Sequence, residues 1–264
     1  MISATASHLM PQLVAHDVSR VYTDRGTSLR ALENVSLTLN ARETLSIVGP
    51  SGCGKTTLMK ILSGLDRPTT GNVSFGKSAS AFVFQKPLLF PWRTILENVL
   101  VPAYLNGKRP SVTDRARATE LLAALGLEGF ANAYPSQMSS GMAMRTSLAR
   151  ALFTEPKLLF LDEPLSAVDE LTRERLWIDF RRMWQARGIA VVLVTHSIRE
   201  AVFLGDRVLV MSPRPGRIIS EHQVHLQIPR DERIFETPAY TETCAAIRSA
   251  LVDKLLQSDE PNNI

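Results

Sequence analysis

The stretch GPSGCGKTT at residues 49–57 sits between an apolar run, ETLSIV, and a helix-like run, TTLMKILSG. It matches G-x-x-x-x-G-K-[ST] through Gly49, Gly54, Lys55 and Thr56. In such a turn, glycines let successive backbone N–H groups point inward and cradle phosphate oxygens. The lysine then reaches the terminal phosphates, and the threonine hydroxyl can hold Mg²⁺. An ordinary glycine turn is the competing reading, but a chance match in a chain of 264 residues has odds on the order of 1 in 100. Context also weighs against it. A strand ending at Val48 and a helix starting at once put the anion at a helix N-terminus, where the dipole favours it.

The surrounding pattern agrees with a strand–loop–helix unit. KLLFL, IAVVLVT and RVLVM are short, nearly continuous apolar runs, as expected of strands covered by helices on both faces. Helical stretches lie between them: Gly64 closes the one after the phosphate loop, and Gly188 closes ELTRERLWIDFRRMWQARG. Strands alternating with helices predict a parallel α/β core. Before residue 40, LVAHDVSRVY and VSLTLN alternate as half-exposed antiparallel strands do. Between residues 88 and 150 no comparable strand is seen, and TILENVLVPAYL and VTDRARATELLAALGL read as amphipathic helices. Trp177 and Trp184, seven apart on one helix, read as packing residues. The expectation is a single domain over 1–264. Its nucleotide-binding core and β subdomain occupy 13–87 and 151–225, a helical subdomain is inserted at 88–150, and a helical extension covers 226–264. After the turn PRPGR a short strand is expected, then a last helix near 241–257.

With 45% hydrophobic residues the chain can bury a substantial core. Its strongest apolar run falls far short of the about 18 residues of a membrane span, and its start lacks the basic leader and apolar stretch of a secretory signal. Any membrane role is expected to be peripheral. Cys53 and Cys244 fit neither a disulfide framework nor a metal site, which favours a reducing cytoplasm. A net charge of +4 suits nucleic acid, an acidic membrane surface or a phosphate-rich ligand, and does not choose among them.

Residues 157–164, KLLFLDEP, read as a buried strand ending in two carboxylates. Asp162 would accept from Mg²⁺ waters, and Glu163 could polarise an attacking water. Alone, such acids are as well read as solvated surface. Beside a phosphate loop they complete an ATPase. SQMSSGMAMR, at 136–145, poses a separate question. Three methionines beside an apolar run suggest core filler, whereas two serines and a glycine suggest a loop shaped for something to press against.

With these motifs in this order, the chain resembles the ATP-binding cassette (ABC) transporter ATPases over roughly residues 13–225. The resemblance implies a P-loop NTPase (RecA-like) parallel-sheet core, an N-terminal antiparallel β subdomain and an inserted helical subdomain. It implies ATP held by Gly49, Ser51, Gly52, Cys53, Gly54, Lys55, Thr56 and Thr57, with Tyr22 stacked on adenine. Cys53 fills a variable position and is expected to pack or face solvent. Gln85 in FVFQKPLLFPW matches the glutamine loop, which contacts metal and water and senses the membrane partner, so Mg²⁺ would lie among Thr56, Gln85 and Asp162. His196 in VVLVTHSIREA matches the switch histidine, which contacts the γ-phosphate and holds the hydrolytic geometry with Glu163. Asp169 in LSAVDE matches the aspartate loop that crosses the dimer interface. MSSGM, at 138–142, occupies the place of the signature usually written L-S-G-G-Q. In that family two chains meet head to tail, so Ser139 and Gly141 would press on the γ-phosphate held by the other chain. Ser140 stands where a glycine is usual, and Ala143 and Met144 replace residues that are usually polar.

Within the family, QKPLLFPWRTILENV, Met142 and MSPRPGRI at 211–218 look like the importers for nitrate, taurine and aliphatic sulfonates. This implies an energy-coupling ATPase on the cytoplasmic face of a bacterial inner membrane, partnered with permease subunits, a second copy and, indirectly, a solute-binding protein. Phe90, Pro91 and Trp92 lie where the family receives a short helix from the membrane subunit. Two alternatives remain: a soluble cassette protein acting on nucleic acid or ribosomes, and a P-loop kinase for a small molecule. Cassettes of the first kind generally carry two copies or a long coiled-coil insertion, so no nucleic-acid partner is expected. The second leaves the signature and His196 without work.

Overall fold

The computed structural model describes residues 11–258 apart from 25, 77, 78, 106, 108 and 167. The chain runs β1 (Leu13–Asp24), β2 (Thr27–Leu39), β3 (Thr44–Val48), α1 (Lys55–Leu62), β4 (Thr70–Phe75) and β5 (Ser80–Val83), then α2 (Ile95–Val99), α3 (Val101–Leu105), α4 (Val112–Ala124) and α5 (Ser140–Leu152). It returns through β6 (Leu158–Asp162), α6 (Glu170–Ala186), β7 (Ala190–Thr195), α7 (Ile198–Leu204), β8 (Arg207–Met211) and β9 (Ile218–Gln223), and ends in α8 (Pro238–Ser258).

Among the described residues, β2, β1 and β4 form an antiparallel sheet and the other six strands form a second sheet in the order β5-β6-β7-β3-β8-β9. The expected alternating segments at the start are one long hairpin, paired from Leu13↔Leu39 to Asp24↔Thr27. A bulge between Ala15 and Val18, where Asp17 takes φ of 48°, moves the inward positions from Leu13 and Ala15 to Val18. In the second sheet β5, β6, β7, β3 and β8 are parallel, while β9 runs antiparallel along the edge. Its inner strands are buried throughout. They still alternate, but between two apolar faces: Val191 and Leu193 of β7 pack toward the helical side, Val192 and Val194 toward α1 and the antiparallel sheet. That is why their sequences read as unbroken apolar runs.

β4 and β5 leave no clear mark in the sequence: β4 is almost wholly exposed and β5 is only four residues long, so neither shows a strong period. The run TILENVLVPAYL splits at Leu100 into α2 and α3, because Pro102 has no N–H to continue the ladder. Trp177 and Trp184 are buried, the first stacked on Phe203 and the second against Phe180, which makes them packing residues as expected.

Candidate active site

The phosphate loop is held open by glycines at two positions where no other residue fits. Gly54 caps α1 at φ of 106°, and a Cβ there would lie 2.8 Å from the Ala31 carbonyl oxygen. At Gly49 a Cβ would lie 2.9 Å from Cys53 Sγ and 3.0 Å from Met211 Cβ. Lys55 is buried, and its Nζ donates to the carbonyls of Gly49 and Pro50 at 2.9 and 3.0 Å. The ammonium is therefore held inside the loop, facing the place a phosphate would take. Cys53 is buried and burial pushes its thiol pKa up, so it packs rather than reacts.

Both carboxylates arrive from the end of β6, which β7 separates from β3. The Thr56 hydroxyl donates to Asp162 Oδ1 at 3.3 Å. Burial holds the Asp162 carboxyl above its ordinary range, while the Thr56 bond pulls it back. Glu163, the next residue, takes φ of 46°, an uncommon conformation for a residue with a side chain, and its N–H donates to the Val194 carbonyl at 2.9 Å. Its Oε2 accepts from Gln85 Nε2 at 3.2 Å and lies 3.2 Å from His196 Nδ1. Gln85, Glu163 and His196 follow β5, β6 and β7, which are adjacent in the sheet, so the strand order alone brings their carboxyl ends together. An open cleft is lined by phosphate-loop residues with Tyr22, Gln85, Glu163 and Arg214.

Tyr22 shares this cleft, its ring under the Arg20 guanidinium at 4.5 Å and its hydroxyl donating to Asp66 at 3.1 Å. Ser139, Gly141 and Asp169 do not line it. Asp169 caps α6, accepting from Thr172 N–H at 3.0 Å, a bond that holds its carboxyl below the ordinary range. Ser139 caps α5, accepting from Met142 N–H at 3.3 Å. Met144 is core, Met138 and Met142 pack half-buried against it, and Ser139 and Ser140 face outward. Both readings of SQMSSGMAMR thus apply, to opposite sides of the same turn.

Two further residues at the site have roles that no motif of the sequence assigns to them. Glu200 is buried beneath the turn that bears His196, accepting from the Thr195 hydroxyl and from Trp177 Nε1 at 3.0 Å. Arg214 reaches the phosphate loop from the turn between β8 and β9. The family model for ABC transporter proteins matches residues 32–166. The chain belongs to the ABC transporter family. It is an ATP-binding cassette and an ATPase. The cassette is similar to the aliphatic sulfonates import ATP-binding protein SsuB 2 of Pseudomonas syringae pv. tomato, at 44% identity over 202 residues, 76% of this chain and 84% of that one. It is 38% identical to the taurine import ATP-binding protein TauB of Pelagibacter ubique over 246 residues, 89% of this chain and 92% of that one. Its fold matches the dimeric ATP-binding cassette MJ0796, solved in a post-hydrolysis state with ADP and Pi, with a TM-score of 0.73 at 32% identity, covering 81% of this chain and all of that one. Among the described residues, no helix of the cassette is long and apolar enough to cross a membrane.

Proposed function

We propose that two copies of this cassette close head to tail on two ATP molecules and drive a permease that imports taurine or an aliphatic sulfonate. The observation that carries the reading is the meeting of Gln85, Glu163 and His196 at one carboxylate oxygen, beside the Thr56 and Asp162 pair and the phosphate loop. The loop's N–H groups and Lys55 bind the phosphates, and Tyr22 receives the adenine. Glu163 takes the proton of the attacking water, the bond to the terminal phosphorus forms, and ADP leaves. Gln85 and His196 hold the Glu163 carboxylate in place and orient it. Two hard oxygen donors 3.3 Å apart, Thr56 Oγ1 and Asp162 Oδ1, suit Mg²⁺, with Gln85 close by. Mg²⁺ would neutralise charge on the phosphate oxygens there.

Gly141 supports the dimer. Its φ is not positive, and among the described residues a Cβ would meet only Val168, at an ordinary 3.6 Å, so no described contact within one chain requires a glycine there. A closely approaching second chain would. Ser139 Oγ accepts the cap bond and still has its hydrogen to donate outward. The exposed Leu88, Phe90 and Trp92 after Gln85 offer an apolar landing for a permease helix, which would set the cassette on the cytoplasmic face of a bacterial membrane. The importers named among the relatives support the solute class over nucleic-acid or kinase roles.

The test pairs two variants. Glu163→Gln should lower ATP turnover by roughly 10² to 10⁴ while ATP still binds, whereas Lys55→Ala should weaken both. Equal loss of binding in the two would overturn the assigned roles. Co-purification with a transmembrane subunit, followed by uptake of taurine and alkanesulfonates in vesicles, tests the importer.

A further inference from the structure

The turn PRPGR between β8 and β9 lies against the phosphate loop rather than in solvent. Ser212 closes the turn, donating from its N–H to the Arg217 carbonyl at 2.9 Å and accepting from Arg217 N–H at 3.0 Å. Gly216 fastens it to β2, donating to the Ala31 carbonyl at 2.9 Å and accepting from Glu33 N–H at 3.0 Å. A Cβ on Gly216 would sit 2.2 Å from the Cys53 carbonyl oxygen, so the turn and the loop are in direct contact. From this anchored base Arg214 extends along the cleft, its Nε and Nη2 donating to the Gly52 carbonyl at 3.2 and 2.9 Å.

We propose that Arg214 is a positioning residue of the ATP site, holding the Gly52–Cys53 peptide in the orientation that binds phosphate. The two ends of a peptide unit point opposite ways. Fixing the Gly52 oxygen on the outer side of the loop turns the Cys53 N–H inward, where its bond to the Pro50 carbonyl is a long 3.3 Å. Gly52, at φ of 74° and with no side chain, is free to turn this peptide either way, and that freedom costs conformational entropy each time the cradle forms. A planar guanidinium whose Nε and Nη2 both converge on that one oxygen removes much of it. Arg214 also lines the cleft and so adds positive charge beside the phosphates. In the sequence PRPGR marks a turn and shares in a family resemblance, but gives no sign of this contact. Its partner, Gly52, lies 162 residues away.

The inference rests on the ATP-site reading above, and Lys55→Ala separates the two. ATP affinity and steady-state turnover are measured for Arg214→Ala, Arg214→Lys, Arg214→Gln and Lys55→Ala, each with its melting midpoint. Arg214→Ala is expected to weaken ATP binding and raise KM by about tenfold, with kcat falling less than about threefold. Lysine and glutamine, each able to give one bond to Gly52, should each restore part of the affinity. The defect should persist in about 0.5 M salt, which screens exposed charge but not a short hydrogen bond. Arg214→Ala binding ATP like the parent, or a defect that vanishes in salt and is restored by lysine alone, overturns the positioning role. Undiminished ATP binding by Lys55→Ala would instead overturn the reading of the cleft itself.

Discussion

Replacing Glu200 tests how the turn carrying His196 is held. Glu200 is 3% exposed, and its carboxyl oxygens accept from the Thr195 hydroxyl and Trp177 Nε1, both buried. Thr195 Oγ1 in turn accepts from Ser197 N–H at 3.0 Å, so the brace grips the turn on both sides of His196. Truncation to alanine orphans two buried donors at about 1–3 kcal/mol each, roughly 2–6 kcal/mol together. Part is returned, because the carboxyl no longer has to be desolvated. Burial holds its pKa above the ordinary 4.5, so the fold prefers the neutral form. The net loss expected is about 2–4 kcal/mol, or a melting midpoint lower by about 4–16 °C, with turnover falling as His196 loosens. Glu200→Gln keeps the volume and one acceptor and should cost less. Its pH dependence is the sharper test. An acid whose folded pKa is raised contributes fully below its unfolded value, and that contribution is lost as pH rises toward the folded value. Glutamine does not titrate. In denaturant titrations the parent's advantage over Glu200→Gln should therefore shrink as pH rises from about 5 to about 8. A constant or growing advantage, or an alanine variant as stable as the parent, refutes the reasoning.

Ser140 puts a hydroxymethyl group where the family signature usually has none, so Ser140→Gly should tighten ATP-dependent dimerisation in a Glu163→Gln background, crowding costing about 1–3 kcal/mol. Weaker dimerisation by sedimentation would show that the serine is a working donor. Gly141→Ala should leave the melting midpoint within about 2 °C, since a methyl fits against Val168 and alanine suits a helix better, yet lower the affinity of the ATP-bound dimer at least about tenfold. Unchanged dimerisation would count against a close approach there. Trp92 is 70% exposed and touches Phe90, with ring centroids 5.4 Å apart, so Trp92→Ala should lower transport more than it lowers the ATPase of the isolated chain. A large loss of thermal stability would show instead that the ring is needed for packing.

What could be read from the sequence alone is what neighbouring residues decide together. GPSGCGKTT specifies its own loop, because glycine conformations, a lysine and a helix start within nine residues leave few backbone paths. The continuous apolar runs of β3, β6, β7 and β8 named a two-sided sheet because each residue, whichever face it takes, is buried. β4 and β5 leave no such mark, because an exposed strand and a four-residue one carry no strong period. Only the tertiary structure could decide which distant groups meet. Glu163 reaches Gln85 and His196 because β5, β6 and β7 lie side by side, and Arg214 reaches Gly52 because β8 is next to β3. Glu200 is a charged letter in SIREA until β7, α6 and α7 close over it and leave its carboxyl as the acceptor for two buried donors. Such contacts follow from strand order and burial, which depend on how the whole chain shares one core, and no short window of residues records them.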